Sequence, residues 1–287
     1  MLHHVLVATD LSARSDRAIA RGAELAARVH ARLTILHVID EDLPAHILGE
    51  DAREARTALA EIAEAIEETH GLRAEIVVRA GHPAGAIAAL AAEEGADLVV
   101  MGAHRRRILA DIFVGTTIER VIRRASVPVL MANAASPAPH AAILAAIDFS
   151  DTALHAVRTA RALGLLDGAR LTLLNAFTAP AKDMMLIAGV EERLVQGHVS
   201  EEALAARRAL EAFRASLDLD PARVDLRIEE GAPESVVQGA IPETGADLLV
   251  IGTRGATGLD RVLMGSVADA LLRKVEIDVL AVPPQRG

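Results

Sequence analysis

The sequence predicts an α/β protein made of two tandem, doubly wound domains, each a five-stranded parallel sheet with helices on both faces. Three observations predict it. Short apolar runs alternate with amphipathic helical stretches along the whole chain, as strands joined by helical crossovers require. The chain also repeats itself: VLVATDLS at 5–12 is matched by ILAAIDFS at 143–150, and DLVVMGA at 97–103 by DLLVIGT at 247–253. Finally, 287 residues suffice for two such units.

Taken in order, the first copy reads as strands near 3–9, 33–39, 74–80, 97–102 and 127–132, short apolar runs of the kind buried on both faces of a sheet. Helices are expected near 13–30, 50–70, 83–95 and 116–125. The second copy follows by matching: LTILHVID (33–40) with LTLLNAFT (171–178), VVRAGHP (77–83) with RIEEGAP (227–233), and SVPVLMA (126–132) with EIDVLAV (276–282). The stretch Asn133 to His140, rich in Ala, Pro and Ser, reads as an extended connector between domains at 1–135 and 140–287. Right-handed crossovers give the strand order 3-2-1-4-5, with the ends of the first and fourth strands side by side at a topological switch point, where such sheets bind ligands. In the second copy those ends carry Asp148 and Gly252.

The register changes along the repeat. Asp10 aligns with Asp148, an offset of 138, whereas Gly81 aligns with Gly231 and Gly115 with Gly265, offsets of 150. The second copy therefore holds about twelve extra residues within 178–200, including MMLIAGV at 184–190. This insertion reads either as an extra helical turn packed on the core or as a methionine-bearing wall of an apolar pocket or partner surface.

Composition removes several functions. With no cysteine there is no disulfide, thiol nucleophile or thiolate metal site. A net charge of −10 opposes nucleic-acid binding, which needs a positive surface. No charge-free apolar run reaches membrane-spanning length, and MLHHVLVATD enters a strand without a charged leader, so a cytoplasmic protein is expected. There is no G-x4-G-K-[ST] loop and only two lysines, Lys182 and Lys274; G-x-S-x-G and H-E-x-x-H are missing too, and no catalytic residue announces itself.

The richest stretch is Asp247 to Val267, DLLVIGTRGATGLDRVLMGSV. A buried strand leads to Gly252 and Gly255, then to Gly265 and Ser266, where a helical pattern over 267–274 begins. Glycines let backbone approach a phosphate, and free N–H groups at a helix start point at it. The spacing G-x2-G-x9-G-S resembles the ATP-binding signature of the universal stress protein family, and the resemblance extends over both copies. It implies a nucleotide site in the second copy, with Asp148 on the ribose and adenine side, backbone of Ala176 at the adenine, and Gly252, Gly255, Gly265, Ser266 and Val267 at the phosphates. It also implies last strands paired across the two copies as a pseudo-dimer, any further homodimer using another surface. The expected ligand is ATP, ADP or AMP, with Mg²⁺ as its companion ion. The expected role is a stress-response regulatory module with an unidentified protein partner, hydrolysing ATP slowly at most. The alternative is a carrier or sensor of an apolar small molecule using 178–200.

The first copy departs from the signature. Asp10, Val38 and Gly102 stand in the matching places, and Gly115 and Thr116 are intact, but Arg105 replaces the second glycine. Arg105 fills the phosphate position with its guanidinium, becomes a phosphate ligand, or lies with Arg106 and Arg107 in a solvated basic loop, and this copy is expected to bind nucleotide weakly or not at all. His37, His82 and His104 fall near strand ends with Asp10 and form a candidate metal site, with no particular metal expected there.

Overall fold

A computed structural model describes residues 1–41, 45–102, 117–134, 138–255 and 264–285, with the side chains of 45–47 outside the description. The first half runs β1 (His4–Thr9), α1 (Ser15–Val29), β2 (Arg32–Ile39), α2 (Ala45–His70), β3 (Ala74–Ala80), α3 (Pro83–Glu93), β4 (Leu98–Gly102), α4 (Thr117–Arg124) and β5 (Val129–Ala132). The second runs β6 (Ala142–Ala146), α5 (Asp151–Ala162), β7 (Arg170–Phe177), α6 (Lys182–Ile187), α7 (Glu192–Ala215), β8 (Val224–Glu230), α8 (Pro233–Thr244), β9 (Leu248–Gly252), α9 (Ser266–Lys274) and β10 (Asp278–Val282). The expected strands of the first half agree within two residues, but α2 starts five residues before the expected position 50.

All ten strands form one sheet, ordered β3-β2-β1-β4-β5-β10-β9-β6-β7-β8. Each half has the 3-2-1-4-5 order, all parallel, and the halves meet where β5 and β10 run antiparallel. Leu130 faces Leu280, its own counterpart in the repeat, so a pseudo-twofold axis passes between them. The central strands are buried on both faces. One apolar layer joins them to α1, α2, α5 and α7, the other to α3, α4, α8 and α9. Among the described residues β3 and β8 are the edges of the sheet, and both carry charges (Glu75 and Arg79; Arg227, Glu229 and Glu230) that discourage edge-to-edge pairing.

The seam is reinforced by a buried polar cluster around Asp278, whose side chain is fully enclosed. Its Oδ2 accepts from Arg21 Nε of α1 and from His140 Nε2, both at 2.9 Å. Its Oδ1 accepts from the backbone N–H groups of Asn133 and Ala134, both at 2.8 Å. Arg21 Nη1 also donates to Ala138 O at 2.6 Å, and Asn133 Nδ2 to Ile277 O at 2.7 Å. Burial alone would raise the Asp278 pKa; hydrogen bonds from His140 and Ala134 and the Arg21 charge outweigh it and hold the carboxyl below its ordinary value. The described parts of the connector are therefore anchored to both halves. On the opposite face Arg273 of α9 donates to Glu119 of α4 at 3.0 Å, a second ion pair across the seam.

Far from the strand C-termini of the first half, His4 is buried in β1. Its Nδ1 lies 2.9 Å from Arg32 Nη2 and 3.3 Å from Glu94 O, and its Nε2 lies 2.9 Å from Thr34 Oγ1. Burial and then the Arg32 charge lower its pKa from the ordinary 6.5. An unfolded chain therefore takes up this proton at higher pH than the folded one. The stabilisation is complete above 6.5 and is lost as pH falls from there through the lowered folded value. Thermal unfolding followed from pH 7.5 to 5.5 should show stability falling with acidification, and more shallowly in His4→Gln. Equal slopes for the two proteins would contradict this role.

Candidate functional site

Strands β6 and β9 are sheet neighbours whose following helices, α5 and α9, pack on opposite faces. The strand ends therefore diverge and leave a crevice at the switch point. It is a cleft of about 320 Å³ with an apolar floor and walls (Ala146, Leu174, Ala176, Val237, Ile251, Leu271) and a polar rim of Asp148, Arg254, Gly255, Gly265 and Ser266.

Asp148 is positioned by a turn rather than by capping. Its Oδ1 accepts from Ser150 N at 3.1 Å and Ser150 Oγ at 2.6 Å, and Ser150 is itself the N-cap of α5, accepting from Ala153 N at 3.1 Å. The helix cap lies two residues past Asp148, at Ser150. Between them Phe149 adopts φ 60°, as Leu11 adopts φ 57° in the first half, a left-handed conformation unusual for bulky residues. Asp10 repeats the arrangement, accepting from Ser12 N at 3.1 Å and Ser12 Oγ at 2.5 Å. Burial pushes the Asp10 pKa up, but hydrogen bonds from Ser12 and Ser15 prevail and keep it below the usual carboxylate value.

The glycines have distinct reasons. A Cβ on Gly252 would lie 2.9 Å from Thr152 Cγ2 and 3.2 Å from Thr152 C, so this glycine lets α5 start against the end of β9. Gly102 does the same beneath Arg14, where a Cβ would be 2.8 Å from the carbonyl oxygen. Gly255 faces the site: its Cβ would come 3.0 Å from Asp148 Oδ2. Gly265 is the N-cap of α9, has no side chain to cap it, and donates N–H to Thr253 O at 2.9 Å. Ser266 and Val267 begin the helix at the cleft, with Ser266 exposed. An uncapped helix start beside a glycine and opposite an apolar slot suits a ligand with an anionic end and a flat apolar end.

Sequence reasoning missed Val237 and Leu271, the walls of the slot, and Ser150, which holds Asp148. Their helical patterns mark them as buried or capping, but only the fold turns them toward one crevice.

The first half has its own cleft, of about 280 Å³, lined among others by Asp10, Arg14, Val38, Met101, Gly102 and Thr117. His104, Arg105, Gly115 and Thr116 lie outside the described residues. His37 Nδ1 donates to Thr9 O at 3.0 Å, as Asn175 Nδ2 of the second half donates to Ile147 O at 2.8 Å. It braces β1 against β2. His82 is exposed, 3.7 Å from Glu41. Among the described residues no three His, Asp or Glu side chains gather as metal ligands.

The insertion is accounted for by the lengths of the connections. Between β2 and β3 there are 34 residues and between β7 and β8 there are 46, twelve more. They allow α6, which buries none of its side chains: Met184 is 68% and Ile187 86% exposed. An extra turn packed on the core is therefore not what forms.

The family profile of the universal stress proteins matches residues 1–133 and again 141–283. The chain belongs to the universal stress protein family. A universal stress protein of Mycobacterium tuberculosis is 28% identical over 296 residues, covering 97% of this chain and 96% of the relative. One from Synechocystis is 25% identical over 147 residues, covering 49% of this chain and 96% of its own length, as a single-copy relative would. In fold, the crystal structure of a universal stress protein from Archaeoglobus fulgidus superposes with a TM-score of 0.74 at 22% identity, covering 98% of both chains. The tandem arrangement is thus shared along the whole length of a relative. Among the described residues, no helix is long and apolar enough to cross a membrane.

Proposed function

We propose that this universal stress protein binds an adenine nucleotide in the cleft of its second half, and that occupancy regulates association with a protein partner during stress. The observation that carries the reading is the convergence of Asp148, Gly255 and the uncapped start of α9 on one apolar slot. Leu174, Ala176 and Val237 suit the faces of adenine, with backbone of Ala176 reading its edge. A carboxylate at Asp148 suits ribose hydroxyls, and the N–H groups of Ser266 and Val267 suit phosphate. Gly252 serves indirectly, by seating α5. Mg²⁺ would accompany the nucleotide, held mainly by phosphate and water, because Asp148 is the one carboxylate among the described lining residues. Slow hydrolysis is the most such a site would support, since no general base adjoins the phosphate end among the described residues.

Arg105 in place of the second glycine makes the first half the weaker binder. The domains are accordingly assigned as 1–135, degenerate, and 140–287, competent, in a cytoplasmic protein. Any homodimer of whole chains would use a surface other than β5 and β10, whose edges are already paired. Mass spectrometry of ligands released from freshly purified protein, followed by titration with ATP and Mg²⁺, tests the reading. One adenine nucleotide per chain is expected. A chain that neither carries nor takes up nucleotide would overturn it.

One observation favours a second reading. The apolar residues Met184, Leu186 and Ile187 stand exposed on α6, which follows the C-terminal end of β7. An acyl or other apolar ligand recovered in place of nucleotide would move function to that segment.

A further inference from the structure

Past the end of β9 the chain separates two clefts. One is the nucleotide cleft; the other, of about 280 Å³, lies at the seam between the halves. It is lined by Arg123 and Arg124 at the end of α4, Ser126, Arg254, Met264 and Gln285. Arg254 borders both. No acidic side chain is among the described residues lining the seam cleft. Arg123 is 3.4 Å from Asp269, which it shares with Arg273. Neither Arg124 nor Arg254 has an ion-pair partner among the described residues.

Three arginines around one cleft run against a chain of net charge −10. The C-terminal end of α4 explains why Arg123 and Arg124 are tolerated there, since cations are favoured at that pole of a helix. It does not explain Arg254, which comes from the other half and borders the same space. Arginines lining one cleft repel one another where only Arg123 has a carboxylate beside it, and an oxyanion relieves that repulsion while accepting their forked N–H groups. Ser126 and Gln285 add neutral donors, and the volume holds one small anion.

We propose that the seam cleft is an anion site for the phosphate class, holding inorganic phosphate, pyrophosphate or the phosphate of an ester between arginines of both halves. It does not depend on the nucleotide reading. It lies behind the root of the glycine loop, where Gly265 N–H meets Thr253 O, and Thr253 lines it directly.

Calorimetric titration of the full chain, free of nucleotide and at low ionic strength, with inorganic pyrophosphate tests this. Saturable binding is expected, weakened at least about tenfold in Arg124→Gln and Arg123→Gln, less in Arg124→Lys, and unchanged in Arg170→Gln, an exposed arginine at the start of β7. Repeating the Arg124→Gln titration with ATP separates the sources. A parallel loss would make the anion the nucleotide's own phosphate chain; unchanged ATP affinity would make it a free anion. Absence of pyrophosphate binding, or binding insensitive to both glutamine variants, would overturn the proposal.

Discussion

Replacing Asp278 with alanine is expected to lower the free energy of unfolding by about 3 kcal/mol, because it takes from the buried Arg21 guanidinium its closer counter-charge and leaves it Glu24 at 3.8 Å. Arg21 is 3% exposed and its Nε is 2.9 Å from Asp278, so water cannot replace the lost partner without opening the seam. The change also strands the N–H groups of Asn133 and Ala134 and the His140 ring, which donate to the same carboxylate. Asp278→Asn should be almost as damaging, since it keeps an acceptor for the backbone donors but not the charge. Urea unfolding monitored by circular dichroism would read this out. A loss below about 1 kcal/mol, the range of an exposed ion pair, would mean that the cluster is solvated in solution.

Gly255→Arg is expected to abolish measurable nucleotide binding, a loss of at least about a hundredfold, or about 2.7 kcal/mol. Any side chain here starts with a Cβ only 3.0 Å from Asp148 Oδ2, so Asp148 must move or the loop must shift. The arginine then competes for that carboxylate and for the space of the phosphates. The substitution copies into the second half what position 105 has in the first. ATP titration by calorimetry, with unfolding temperature as a control for folding, decides it. Undiminished affinity in a folded variant would remove the glycine loop from the site.

Most of the fold was legible because strand and helix carry different hydrophobic periods, and because the chain states its pattern twice. The repeat located strands such as β8, whose partly exposed edge sequence VDLRIEE would be weak evidence alone. The site was legible only in part. Gly252 was readable as a glycine that matters, but its neighbour Thr152 is distant in sequence, so the reason for it was not. Asp148 and Ser150 both suit a helix N-cap by residue type, and only the hydrogen bonds single out Ser150. The α6 segment showed its apolar character but not its exposure, since six residues are too few for periodicity to tell a buried face from an exposed one. The cluster at Asp278 left no local trace: its arginine sits on the first helix of the chain and its histidine at the far end of the connector.

Pairing β5 with β10 inside one polypeptide changes how the assembly responds to dilution and to mutation. Two separate copies joined by the same edges would fall apart at concentrations below their dissociation constant. Joined by a connector, they meet at a fixed local concentration however dilute the cell makes the protein. In a symmetric pair every substitution appears on both sides of the axis, so a change helpful in one pocket is imposed on the other. Here Leu130 and Leu280 still face each other as symmetry mates, yet position 105 is arginine where its counterpart in the repeat, 255, is glycine. One polypeptide can hold a glycine at 255 and an arginine at 105, and divide between two pockets what a homodimer must do twice.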